Sequence, residues 1–327
     1  MKVLVTGGAG YIGSHAVREL IKNNHQVIVY DNLCNGYKQS LPNDVCFIKG
    51  DLADQILLND IFKQYNFDTV LDFAGHLEVG ESMRDPSKFY TNNVIGLSNL
   101  LNTMKNFDVK NIIYSSSASV YGVPKQTPIP EHFPHNASNV YGETKSIAER
   151  MLKFFDQIYG IKSTCLRYFN AAGADAAGDI GEAHKPETHL IPLVFEVVLG
   201  KRQHLTIYGD DYTTQDGTCI RDFIHVSDLA QAHILTMENL FEQKESSIYN
   251  VGTGSGYSVR EIIGQAREIT GHPIPILESE RRLGDPPELV ADVTKIKSEL
   301  GWTPKMSDLD AILRTAWNWH KNHPNGY

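Results

Sequence analysis

Tyr141 and Lys145 stand four residues apart in the segment Tyr141-Gly142-Glu143-Thr144-Lys145. On a helix, positions i and i+4 share a face, so a phenol and an ammonium there can converge on one ligand. A nearby positive charge lowers a phenol's pKa from about 10 toward working pH and makes it a base able to take a hydroxyl proton. Ser117 closes the run Ser115-Ser116-Ser117. At the end of a parallel strand its hydroxyl can share that proton with Tyr141. Such a Tyr/Lys pair also arises by chance on ordinary helices, and a small-residue strand end accounts for Ser115 and Ser116 without chemistry. What gives the three residues meaning is the start of the chain.

Lys2-Val3-Leu4-Val5-Thr6 is a short β-branched run that meets Gly7, Gly8, Gly10 and Gly13. This pattern marks a buried parallel strand entering a tight turn. The spacing of Gly7, Gly10 and Gly13 lets backbone N–H groups reach a pyrophosphate, and the helix expected from Tyr11 to about Lys22 aims its positive end at the phosphates. Glycine turns are common for structural reasons alone. Here, however, Val27-Ile28-Val29-Tyr30 follows as a second strand and Asp31 sits at its end, where a carboxylate can accept hydrogen bonds from an adenosine ribose. An acid at that position repels a 2′-phosphate, so NAD is favoured over NADP.

The remaining elements alternate in the same way. Asn32 to Gly36 is a loop able to wrap the adenosine, Val45 to Ile48 a third strand, and Gly50-Asp51-Leu52 follows at its ligand-binding end. A helix from about Asp54 to Gln64 leads to strand Thr69 to Phe73, and Ala74-Gly75 offers a second small-residue turn. A helix from Pro86 carries Asn92, Asn93 and the apolar positions Val94, Leu97, Leu100 and Leu101. Strand Asn111 to Tyr114 ends in the serines; a helix from about Val140 to Ile158 and strand Ser163 to Tyr168 follow. The expected fold is α/β, a doubly wound parallel sheet of Rossmann type over residues 1–172, with a smaller mixed α/β substrate domain over 173–327. Asp222 to Val226, followed by a helix capped at Ser227, is expected to rejoin the first lobe over about 222–240.

Composition narrows the function. The 327 residues are 41% hydrophobic and 21% charged, ordinary for a globular protein large enough for two lobes. No apolar run approaches the about 20 residues of a membrane span, and the first strand directly follows Met1, so neither membrane nor signal peptide is expected. Cys34, Cys46, Cys165 and Cys219 are scattered, which fits reduced thiols in a cytoplasmic protein. The thirteen histidines lack metal-ligand spacing, although His184 and His189 lie close together, and no metal is expected. A net charge of -9 without a Lys/Arg block argues against nucleic acid.

The run Thr6-Gly7-Gly8-Ala9-Gly10-Tyr11-Ile12-Gly13, with Ser117, Tyr141 and Lys145 in that order, resembles the extended branch of the short-chain dehydrogenase/reductase superfamily. Asp31-Asn32-Leu33, Gly80-Glu81-Ser82, Ser115 to Gly122, Leu166 to Asn170, Asp216-Gly217-Thr218, Arg221 to Val226 and Trp317 to His320 narrow this to a resemblance to its UDP-galactose 4-epimerase family from one end of the chain to the other. The resemblance implies that Tyr11, Ile12, Asp31, Asn32, Asn35, Asp51, Leu52, Phe73, Ala74, Gly75, Asn92, Ser115 and Tyr168 surround NAD, beside Gly7, Gly10 and Gly13. Tyr141 and Lys145 would reach both cofactor and substrate. For a UDP-hexose it implies Ser117, Asn170, Leu190, Thr206, Ile207, Tyr208, Arg221, Arg282 and Asp285. Arginine suits the forked hydrogen bonds a diphosphate takes; a surface ion pair of Arg281-Arg282 with Asp285 is the lesser alternative. Leu77 stands where many relatives have Lys. Leu289 stands where they have Tyr or a small residue, which leaves acceptance of N-acetylated sugars open.

The activity so implied is reversible inversion at C4 through a 4-keto sugar, with NAD staying bound, in a homodimer joined through helices at about Lys88 to Phe107 and Val140 to Ile158. A sugar-nucleotide 4,6-dehydratase would need an extra acid and base, and Ser117-Ala118-Ser119 supplies none. A UDP-glucuronate decarboxylase is an alternative; a non-catalytic NAD sensor is another, which the intact Tyr/Lys pair disfavours.

Overall fold

Three residues of the first strand set the layers of the molecule. In β1 (Lys2–Thr6) Val3, Leu4 and Val5 are all fully buried. Because successive side chains point to opposite faces of a sheet, both faces around β1 must be covered. Val3 and Val5 belong to one apolar cluster with Val17 and Leu20 of α1 (Tyr11–Lys22), whereas Leu4 belongs to another with Leu58, Ile61 and Phe62 of α2 (Gln55–Gln64). The computed structural model describes residues 1–282 and 285–327.

With β2 (Gln26–Asp31), β3 (Cys46–Lys49), β4 (Thr69–Asp72), β5 (Asn111–Ser117) and β6 (Lys162–Tyr168), β1 forms a parallel sheet in the order β6-β5-β4-β1-β2-β3. The order reverses between β1 and β4, and ligands of such sheets bind in the crevice this reversal opens at the C-terminal strand ends. Between β4 and β5 run the short α3 (Val79–Ser82) and α4 (Pro86–Phe89), a π-helical turn Tyr90–Ile95 and α5 (Gly96–Asn106). Sequence periodicity suggests one α-helix from Pro86; the wide π turn instead presents both Asn92 and Asn93 to the loop after β4. The His76 N–H is donated to Oδ1 of Asn92 (3.2 Å) and of Asn93 (2.8 Å). Such turns recur at functional sites.

Helix α6 (Val140–Tyr159) is capped by the Asn139 side chain and ends at Gly160, which takes the left-handed conformation. Beyond β6 the chain leaves the sheet through β7 (Asn170–Ala172), α7 (Leu190–Val198), β8 (Leu205–Tyr208) and β9 (Ile220–Arg221), and β10 (Phe223–His225) pairs with β7. Then α8 (Val226–Gln243) covers the α1 face, and β11 (Ser247–Val251) pairs with β6 as the seventh strand of the sheet. Helix α8 starts one residue before the expected Ser227, because the His225 imidazole does the capping: its Nδ1 accepts the Ser227 N–H at 3.1 Å. Of the rest, β12 (Tyr257–Ser258), α9 (Val259–Thr270), β13 (Ile276–Ser279), β14 (Glu288–Leu289) and α11 (Leu309–Asn322) complete the smaller lobe, whose core joins α7, α9 and α11, whereas α10 (Thr294–Leu300) packs back onto the sheet-side core of α8 and β11. Among the described residues no helix is long and apolar enough to cross a membrane.

A buried ion pair fixes α6 against the sheet. Glu149, one turn beyond Lys145, accepts Arg167 Nε at 2.9 Å and Nη2 at 2.6 Å, and the Ser116 hydroxyl at 2.5 Å. Arg167 also donates to the Tyr121 hydroxyl, which donates to Asn250 of β11. Burial pushes the Glu149 carboxyl up, but Arg167 and His135 outweigh it and hold it at about 2. An ordinary glutamate titrates near 4.3. The pair therefore contributes stability that is fully present above that value and is lost as pH falls toward about 2. Glu149→Gln leaves Arg167 buried without its counter-charge and is expected to lower unfolding stability by about 3–5 kcal/mol in denaturant titrations. A loss below about 1 kcal/mol, or an unchanged acid limb of the stability profile, would refute this role.

Candidate active site

The cofactor side is built from backbone. Gly7 has φ +67°, and a Cβ there would lie 2.6 Å from Ala74 N; a Cβ on Gly13 would lie 2.3 Å from the Gly7 carbonyl oxygen. Only glycine lets the β1 turn, the β4 turn and α1 pack this closely. Helix α1 begins at Gly10 with no side-chain cap and no acid in its first turn, so its N–H groups remain open to an anion. Asp31, at the end of β2, accepts the Ala9 N–H (2.9 Å) and the Leu33 N–H (2.7 Å). Burial raises its carboxyl pKa against those two bonds. The residue expected at the ribose thus also ties the glycine turn to the following loop. Asn32 Nδ2 donates to Asp51 at 2.7 Å, which joins the loops after β2 and β3.

Lys145 is 5% exposed and donates to the Ser115 carbonyl at 2.6 Å. Its Nζ lies 4.8 Å from the Tyr114 ring centre and 5.8 Å from that of Tyr141. Burial pulls the ammonium down to about 8, against the opposing pull of Asp72 and Glu149. The Tyr141 phenol departs from the sequence expectation. Withdrawal from water raises its pKa, and only the Ser117 hydroxyl pulls it down, so the lysine does not by itself bring the phenol toward neutral pH. The physical reason is competition: removing a phenolate from water outweighs attraction to an ammonium across a ring's breadth. Ser117, 8% exposed at the end of β5, accepts the Ser119 N–H.

On the facing wall, Asn170 Nδ2 donates to the Asp222 carbonyl at 2.9 Å, Leu190 opens α7, and Thr206, Ile207 and Tyr208 lie on β8. The Arg282 guanidinium sits 4.0 Å above the Tyr208 ring. The ion pair conceived between Asp285 and the neighbouring arginines is different in the structure. Asp285 pairs with Arg221 and Arg281 with Asp211, because the β8 and β9 segments bring those partners across from remote sequence.

All these residues line one continuous cleft of about 1480 Å³: Gly7, Gly10, Tyr11, Ile12, Gly13, Asp31, Asn32, Asn35, Asp51, Leu52, Phe73, Ala74, Gly75, Asn92, Ser115, Ser117, Tyr141, Lys145, Tyr168, Asn170, Leu190, Thr206, Ile207, Tyr208, Arg221, Arg282 and Asp285. Leu77 and Leu289 line it too. A dinucleotide fits what is present: the open N-terminus of α1 lies at one end, and the buried Ser115 hydroxyl, which has no protein partner, lies beside Lys145. Sequence reasoning passed over Asn93, which holds the His76 backbone through both its N–H and its carbonyl and donates to Thr144, three residues from Tyr141. It also passed over Glu182 and Glu187, which share the wall with His184 and His189. The signal for Asn93 was present as a paired asparagine on an otherwise apolar helix; nothing local marked the two glutamates.

A cleft of this kind, with an uncapped helix after a glycine turn and a Tyr/Lys pair across from it, defines an NAD-dependent α/β enzyme, and residues 3–252 match the NAD dependent epimerase/dehydratase family. The chain belongs to that family. It is 51% identical to the UDP-glucose 4-epimerase of Halalkalibacterium halodurans, over all of this chain and 98% of the relative. Among solved structures, it is 46% identical to the UDP-glucose 4-epimerase from Brucella ovis in complex with NAD, with a TM-score of 0.94 and 97% of each chain covered. It is 40% identical to the enzyme from Bifidobacterium longum in complex with NAD+ and UDP, with a TM-score of 0.94 over 100% of both chains.

Proposed function

We propose that the protein is a UDP-glucose 4-epimerase, interconverting UDP-glucose and UDP-galactose by inverting the configuration at C4 of the sugar. The observation that carries this is the convergence of Ser117, Tyr141 and Lys145 on the cleft that also holds the glycine turn. Full-length similarity to proteins of that activity supports it. NAD, when bound, supplies a reversible two-electron acceptor with a positively charged oxidised ring.

That charge adds to the Lys145 ammonium and makes the Tyr141 phenolate accessible despite its burial. Tyr141 takes the proton of the 4-hydroxyl, with Ser117 bridging to it, as C4 becomes a ketone; after the sugar presents its other face, Tyr141 returns the proton. Lys145, anchored on the Ser115 carbonyl, holds its charge at a fixed distance from the phenol. Arg221 and Arg282 grip the diphosphate, Asp285 orients Arg221, and Asn170, Leu190 and Thr206 to Tyr208 bind the remainder of the nucleotide sugar. Asp31, Asn32, Asn35, Asp51, Leu52, Phe73, Ala74, Gly75, Asn92, Ser115 and Tyr168 hold the dinucleotide.

Purified protein given UDP-galactose is expected to form UDP-glucose without added NADH. Tyr141→Phe is expected to lower kcat by about 10²–10⁴ with the dinucleotide still bound. A demand for NADH stoichiometric with product, or undiminished turnover in Tyr141→Phe, would overturn the proposal.

The protein acts as a homodimer joined through the α5 and α6 side. Phe154 and Ile158, one turn apart on α6, are 58% and 67% exposed, and Ile95 before α5 is 54% exposed, an apolar grouping that a partner helix pair would cover. Sedimentation equilibrium is expected to give twice the chain mass, falling to one chain in Phe154→Asp/Ile158→Asp. A wild-type monomer would rule the dimer out.

A further inference from the structure

In the cleft wall beside Tyr11, Glu182, His184, Glu187 and His189 bring one donor atom each within 4.8 Å of one another. Nδ1 of His184 lies 3.1 Å from Glu182 Oε1 and 3.8 Å from Glu187 Oε2, and Nδ1 of His189 lies 2.6 Å from Glu182 Oε1 and 3.4 Å from Glu187 Oε1. Donors placed tetrahedrally around a zinc ion at about 2.1 Å are about 3.4 Å apart, and these four separations bracket that value. Glu182 is only 4% exposed, yet its Oε1 and the His184 Nδ1 are both buried without a hydrogen-bond partner. Buried polar atoms in this condition demand an explanation.

We propose that Glu182, His184, Glu187 and His189 form a binding site for a divalent transition metal, zinc being the ion their two imidazole and two carboxylate donors suit best. The site is preorganised from both ends. Trp319 Nε1 donates to the Glu182 carbonyl at 2.9 Å, and His189 immediately precedes α7, with Glu187 Oε1 accepting the Thr188 and His189 N–H groups. Its exposed side is His189, at 45%, which leaves the metal open to water from the cleft.

The other titratable groups facing the cluster are Tyr11, His320 and, through Tyr11, Tyr327. Burial raises both tyrosines and lowers His320, so all three are neutral near pH 7 and none supplies a competing cation.

Full-length protein stripped with a chelator and dialysed against Zn²⁺ is expected to retain one ion per chain more than His184→Ala/His189→Ala. Exposed Cys34 and Cys46 are present in both proteins, so thiol binding cancels in the difference. Should the double variant fold poorly, Co²⁺ added to the wild type is expected to give the visible bands of a tetrahedral nitrogen and oxygen site. Equal zinc retention by the two proteins, or a Co²⁺ spectrum with only thiolate bands or none, would overturn the assignment.

Discussion

A single ammonium buried under a parallel sheet's C-terminal edge constrains the rest of the site. Lys145 is almost wholly removed from water, and burial pulls its pKa down. It stays charged near neutral pH because the Ser115 carbonyl accepts from it and Asp72 and Glu149 lie close enough to favour the cation. Each of those groups is fixed in turn: Asp72 accepts the Thr6 hydroxyl at 2.6 Å, and Glu149 is locked by Arg167 and Ser116. The sheet, the helix carrying Tyr141 and the buried ion pair are therefore one electrostatic assembly. Loosening any member weakens the hold on the charge beside the phenol.

The same assembly explains why the phenol is unreactive by itself. In the protein alone burial outweighs the lysine, and a second positive charge in the cleft would favour the phenolate.

The first βαβ unit was legible in sequence because its information is local: a continuous apolar run in Lys2–Thr6, glycines with no room for Cβ, and an acid at the end of the second strand. Ser117 and Tyr141 were legible because each falls at the end or on the first turn of an element, and Lys145 because it follows Tyr141 by four residues on the same helix. What stayed hidden depends on partners distant in sequence. Arg167 meets Glu149 across the α6–β6 connection, and Arg221 meets Asp285 from the far side of the smaller lobe. The π turn at Tyr90–Ile95 has no compositional mark beyond its two asparagines. The sign of the Tyr141 shift was misjudged for a related reason: charge spacing can be counted along a helix, whereas desolvation depends on everything packed around it.

Control of the phenol by the lysine is tested most directly by following phenolate absorbance against pH in NAD-loaded protein. The component that disappears in Tyr141→Phe isolates the one tyrosine. Its midpoint is expected at a clearly lower pH in the wild type than in Lys145→Met. Equal midpoints in the two proteins would contradict the claim that the buried ammonium governs the base.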